Sequence, residues 1–142
     1  MTKKVLFICI HNASRSQMAE AYLNYFDKDK FIAESAGLEP GKLNQFVIRA
    51  MLEDGIDISK NRCKSVQEFL DNRTIFDYAI TVCDGASGER CPIFPGNCKR
   101  LHIEFKDPSQ FKGSEEEIMQ QVRNVRDEIK ASVIEFIKEN SE

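Results

Sequence analysis

Residues 4–10 read Lys-Val-Leu-Phe-Ile-Cys-Ile, apolar at every position after Lys4. Such a run needs cover on both faces, so it predicts an inner strand of a parallel sheet. Residues 17–26 follow a polar loop and place Met18, Ala21, Tyr22 and Tyr25 at helical spacing. Residues 31–35 predict a second strand, ended by Ala36-Gly37, and residues 38–43 carry the turn formers Pro40 and Gly41. A helix over 46–53 buries Phe46, Ala50 and Met51 and stops at Gly55. A short helix over 66–70, a third strand over 78–82 and a weaker fourth over 101–103 follow.

The last helix has the clearest start. Ser114 and Glu117 fit a capping box, in which each side chain satisfies an orphan backbone N–H. Ile118, Val122, Val125, Ile129, Val133 and Phe136 then form one apolar stripe. Alternating strands and helices predict an α/β three-layer sandwich around a central four-stranded parallel sheet. Ligands of such sheets bind beyond the carboxyl ends of the strands, which directs attention to the segment after the first strand.

Composition narrows the choice. The 142 residues, 42% apolar, suit one domain spanning 1–142. No run is long enough to span a bilayer, and no small-residue cleavage site follows the first apolar run. A net charge of −3 with mixed signs offers no broad field for nucleic acid or anionic lipid, so anion binding must be local. The five cysteines are Cys9, Cys63, Cys83, Cys91 and Cys98, an odd number that excludes a fully paired framework. No Cys-x-x-Cys occurs, and His11 and His102 lie outside zinc spacing, so no metal or cofactor is expected. Thiol chemistry in a reducing compartment, the cytoplasm, is the expectation.

Residues 9–16 read Cys-Ile-His-Asn-Ala-Ser-Arg-Ser between the first strand and the first helix. The backbone N–H groups of Ile10, His11, Asn12, Ala13, Ser14 and Arg15, with the helix N-terminus, can converge on one tetrahedral anion. The Arg15 guanidinium can clamp two of its oxygens. The same positive field stabilises a Cys9 thiolate, to which Ser16 can donate a hydrogen bond. One geometry thus binds the substrate and activates the nucleophile.

This Cys-x5-Arg-Ser loop at the head of the chain resembles the low-molecular-weight tyrosine phosphatase fold. Within it, 14–20 (Ser-Arg-Ser-Gln-Met-Ala-Glu), Ser35-Ala36-Gly37, 55–59 (Gly-Ile-Asp-Ile-Ser), 81–84 (Thr-Val-Cys-Asp), Cys91-Pro92 and Asp107-Pro108 are similar to the thioredoxin-coupled arsenate reductases. The resemblance covers nearly the whole chain. A phosphatase needs one cysteine, one arginine and an acid, whereas a reductase must also deliver two electrons, which two thiols supply by forming a disulfide. Cys83 ends the third predicted strand and so falls on the sheet edge that carries Cys9. Cys91 lies across a stretch containing Gly85 and Gly88, whose freedom permits movement.

The resemblance implies a relay in which Cys9 attacks arsenic, Cys83 attacks Cys9 with release of arsenite, and Cys91 moves the oxidation to a Cys83–Cys91 disulfide reduced by thioredoxin. It also implies that Asp107 is the general acid. Where phosphatases often carry an aromatic residue after the proline, Ser109 stands here. Asn12, Glu20 and Ser35 match a potassium site of some reductases, but Lys64 occupies the fourth, acidic position, so no potassium dependence is expected. Cys63 and Cys98 have no role carried over. The implied partners are arsenate or a phosphate-like oxyanion and thioredoxin, acting on a monomer. Two alternatives stay open: a tyrosine phosphatase using Cys9, Arg15 and Asp107, and a thiol sensor or oxyanion-binding module without turnover.

Overall fold

A computed structural model describes residues 2–82 and 96–140. In chain order the elements are β1 (Lys3–Cys9), α1 (Arg15–Asp27), β2 (Phe31–Gly37), α2 (Gln45–Glu53), α3 (Val66–Asp71), β3 (Tyr78–Thr81), β4 (Lys99–His102), a 3-10 turn (Pro108–Gln110) and α4 (Glu115–Asn140). The four strands form one parallel sheet in the order β2-β1-β3-β4. The predicted α/β architecture is the observed one.

β1 is central, which explains its uninterrupted apolar run. Val5, Phe7 and Cys9 join a core on one sheet face with residues of α1, α2 and α4. Leu6 and Ile8 join a smaller core on the other face with Ala36, Val66, Phe76 and Ala79. Each fully buried side chain of this size contributes about 1.5–3 kcal/mol relative to exposure, so neither face of β1 tolerates a polar residue. α4 starts at the expected cap: Glu117 N–H donates to Ser114 Oγ at 3.2 Å and Ser114 N–H to Glu117 Oε1 at 3.1 Å.

Several expectations need correction. Tyr25 is 62% exposed, stacked edge-on against Phe26, while Ala19 and Leu23 take the core positions beside Met18 and Tyr22. α1 touches both the sheet and α4, so its buried face is broader than one stripe. Val47 is fully buried, and Phe46, expected inside, is only half-buried. β2 continues past Ser35 because its pairing with β1 runs on to Cys9 opposite Gly37. β4 begins at Lys99, not at residue 101. An edge strand is set by backbone pairing with β3, which its exposed side chains do not reveal.

Between α2 and α4 lies a polar clamp. Arg126 donates to Ala50 O at 2.9 Å and to Glu53 Oε1 at 2.8 Å, and Arg123 pairs with the same carboxylate. Tyr22 donates to Asp54 Oδ2 at 2.6 Å, where Lys130 also arrives at 3.3 Å.

Candidate active site

The chain leaves β1 at Cys9 and re-enters regular structure at Arg15, so six peptide units must turn within the space between β2 and α1. Asn12 adopts φ 54°, a left-handed conformation that asparagine tolerates better than most residues. The carbonyls of the turn are each occupied by a donor. Those of Cys9, Ile10, His11 and Ala13 accept amide N–H groups from Leu38, Glu39, Gly41 and Asn44 at 2.7–3.1 Å. That of Asn12 accepts Gln17 Nε2, and that of Ser14 accepts Met18 N–H in the first turn of α1. With its acceptors committed, the loop is left to present N–H donors to an anion.

Cys9 Sγ is buried and accepts the Asn12 N–H at 3.2 Å. It also lies 2.8 Å from Ser16 Oγ, a contact in which either atom can donate. The backbone N–H of Lys64 donates to Asn12 Oδ1 at 2.9 Å, which identifies that atom as the oxygen of the amide. The other amide atom, Nδ2, therefore faces Ser16 and donates to its Oγ at 2.8 Å. Ser16 Oγ thus accepts the Asn12 amide and keeps its hydroxyl proton available to the Cys9 sulfur.

Gln17 is fully buried behind this loop. Its Nε2 faces Asn12 Oδ1 at 3.0 Å and Arg62 O at 3.1 Å, and its Oε1 accepts from Asn61. Sequence reasoning missed this buttress; the only signal was a polar residue at the start of an otherwise apolar helix face.

Arg15 is 3% exposed and donates from Nη1 to Phe105 O at 3.1 Å. Its Nη2 stands 3.6 Å from Asp107 Oδ2, and the Asp107 carboxylate also accepts Ser109 N–H at 3.0 Å. Cys9, His11, Arg15, Lys42 and Asp107 line one cavity of about 350 Å³ at the carboxyl end of β1. The structure therefore brings together Cys9, Arg15, Ser16 and Asp107, four residues singled out from the sequence. Cys83 and Cys91 lie outside the described residues. Val82, which leads to Cys83, donates its N–H to Ile8 O at 2.9 Å, one residue before Cys9.

Beside the loop, Ser35 Oγ donates to Glu20 Oε1 at 2.5 Å, and Lys64 Nζ reaches the same carboxylate at 3.5 Å. The ammonium thus neutralises Glu20 where the resemblance placed a cation ligand. Burial first, and then the charge at Cys9, push the Cys63 thiol above its ordinary range, which disfavours it as a second nucleophile. Cys98 packs against the core cluster built on Leu6 and Ile8.

A thiol, an arginine and a carboxylate around a strand–loop–helix turn on a four-stranded parallel sheet are the groups that cysteine-dependent chemistry on a tetrahedral oxyanion requires. The chain belongs to the low molecular weight phosphotyrosine protein phosphatase family, which it matches over residues 4–142. Within that family it stands among the arsenate reductases. The arsenate reductase of Shouchella clausii is 38% identical over 137 residues, covering 96% of each chain. A solved arsenate reductase in its phosphate-binding state matches with a TM-score of 0.79 at 28% identity, covering 99% of this chain and 100% of that one. A thioredoxin-dependent arsenate reductase of Corynebacterium glutamicum matches with a TM-score of 0.63 at 29% identity, covering 95% of this chain and 63% of the other.

Proposed function

We propose that this protein reduces arsenate to arsenite by a three-cysteine relay recycled by thioredoxin. The observation that carries the reading is the Cys9 sulfur held by Asn12 N–H and Ser16 Oγ in the cavity that also holds Arg15 and Asp107. Arsenate sits on the loop amides and the guanidinium, and the Cys9 thiolate attacks arsenic. An As–O bond breaks as an S–As bond forms, and Asp107 protonates the departing oxygen so that it leaves as water.

Cys83 then attacks the Cys9 sulfur. The S–As electron pair passes to arsenic, which falls from the pentavalent to the trivalent state, and a Cys9–Cys83 disulfide remains. Cys91 attacks Cys83, frees Cys9 as a thiolate and forms a Cys83–Cys91 disulfide, which a thioredoxin dithiol reduces. The relay roles of Cys83 and Cys91 rest on the sequence resemblance. The β1–β3 pairing up to Val82 supports a short path from Cys83 to Cys9. The Corynebacterium relative, itself a thioredoxin-dependent arsenate reductase, supports thioredoxin as the reductant.

Cys83→Ser tests the reading. Arsenate turnover with a thioredoxin system should be abolished, while a quenched single turnover leaves arsenic bound at Cys9. Undiminished turnover overturns the relay. Peptide mapping of oxidised wild-type protein should give a Cys83–Cys91 disulfide, and a Cys83–Cys98 link would reassign the last step.

A further inference from the structure

Proton stoichiometry separates arsenate reduction from phosphate ester hydrolysis. Hydrolysis of a monoester dianion by water consumes no net protons. Reduction of the arsenate dianion by two thiols gives neutral arsenous acid, one water and one disulfide, and the balance needs two protons beyond the two that the thiols bring. One Asp107 carboxyl passes one of these at a time. A second exchanging group beside it lets both be delivered in one turnover without reloading that carboxyl.

Among the described residues, the titratable side chains on the cavity wall are Cys9, His11, Arg15, Lys42 and Asp107. Cys9 is the nucleophile, a guanidinium does not deprotonate, and a lysine ammonium is a reluctant donor at neutral pH. His11 is the side chain type suited to repeated exchange near neutrality. Its position is fixed from three sides by the Pro40-Gly41 turn, which sequence reasoning read only as a turn. Nδ1 lies 2.7 Å from Glu39 O, and because a carbonyl only accepts, Nδ1 carries the hydrogen. The His11 carbonyl accepts Gly41 N–H at 3.0 Å. A Cβ on Gly41 would meet His11 Cβ at 3.4 Å, so the turn packs directly on the histidine. Nε2 is the ring's remaining nitrogen, with no partner among the described residues, on an exposed side chain at the cavity mouth.

We propose that the His11 imidazole is a second proton donor of the site, taking protons from water at Nε2 and passing them to the oxygens that depart with arsenic. This rests on the arsenate-reducing reading above. The Glu39 carbonyl keeps a hydrogen on Nδ1, so loss of a proton from Nε2 leaves the neutral ring with its tautomer already set.

The test uses the full chain and three measurements on wild type, His11→Gln and His11→Ala: arsenite released in a single turnover, its recovery with added imidazole, and protection of Cys9 from alkylation by inorganic phosphate. Glutamine keeps a donor for Glu39 O but cannot exchange protons. The expected result is a drop in the chemical step of about 10²-fold in both variants, the range of a lost general acid. Saturable rescue of His11→Ala by imidazole is expected, with phosphate protection kept within about threefold of wild type, under 1 kcal/mol. Wild-type rates in His11→Gln, a loss that imidazole does not rescue, or a parallel loss of phosphate protection each overturn the proposal. A wild-type protein that releases no arsenite instead removes the functional reading beneath it.

Discussion

Gly37→Ala probes the site without touching a side chain that meets the substrate. Gly37 ends β2 opposite Cys9, and its N–H donates to Lys64 O at 2.8 Å. A Cβ there would lie 2.8 Å from each of Asn12 N, His11 C and Ile10 O, all backbone atoms of the anion loop. Optimal carbon contacts lie near 3.5–4.0 Å, so strand and loop must part by roughly 0.7–1.2 Å. Neither can yield cheaply, since the loop is tied to residues 38–44 through four carbonyls and the strand through its register with β1.

Overpacking of this kind costs about 1–3 kcal/mol of stability. A displacement near 1 Å at a reacting centre costs about 10²-fold in rate. Urea unfolding followed by circular dichroism, with arsenate turnover on the same samples, measures both. Gly55→Ala is the control: Gly55 has φ +78° and nothing within 4 Å of an added Cβ, so it should lose stability through backbone strain and keep its turnover. A Gly37→Ala protein within about 0.5 kcal/mol of wild type and fully active would refute the tight approach of β2 to the loop.

Because Lys64 already neutralises Glu20, arsenate turnover should be the same in potassium and tetramethylammonium salts at equal ionic strength; a clear stimulation by potassium refutes this. The α2–α4 clamp should make the fold acid-sensitive. Arg123 holds Glu53, and the Tyr22 hydroxyl holds Asp54, below the ordinary carboxylate range. Folded values below the unfolded ones mean that this stability is complete above about pH 4.5 and is lost as pH falls through the folded values. Melting temperatures between about pH 7 and pH 3 should fall less steeply in Tyr22→Phe, and identical slopes would remove Asp54 from the account.

Much of the site was legible because its parts are contiguous. Cys9, Arg15 and Ser16 lie within one strand–loop–helix passage, and the spacing by itself specifies an anion cradle. Asn12 was read as one amide donor among six. Its side chain proves to bind Ser16 Oγ beside the sulfur, held in turn by Gln17 and Lys64. Lys64 is 52 residues away, and no local pattern announces that its backbone N–H ends on an asparagine. Tyr25 shows the converse failure. It shares a helical face with Met18 and Tyr22, but periodicity carries no information about where the neighbouring layer ends.

Hydrophobic periodicity determined that this chain alternates strands and helices and that β1 is covered on both faces, and the Cys-x5-Arg spacing determined that a thiol and a guanidinium flank an anion-sized turn. These are properties of near neighbours along the chain. Only the tertiary structure decided that four carbonyls of that turn are taken up by residues 38–44, that Gly37 must lack a side chain, and that His11 is clamped with Nε2 uncommitted among the described residues. Those facts depend on distances between segments remote in sequence, and packing sets them to tenths of an ångström where a residue pattern is silent.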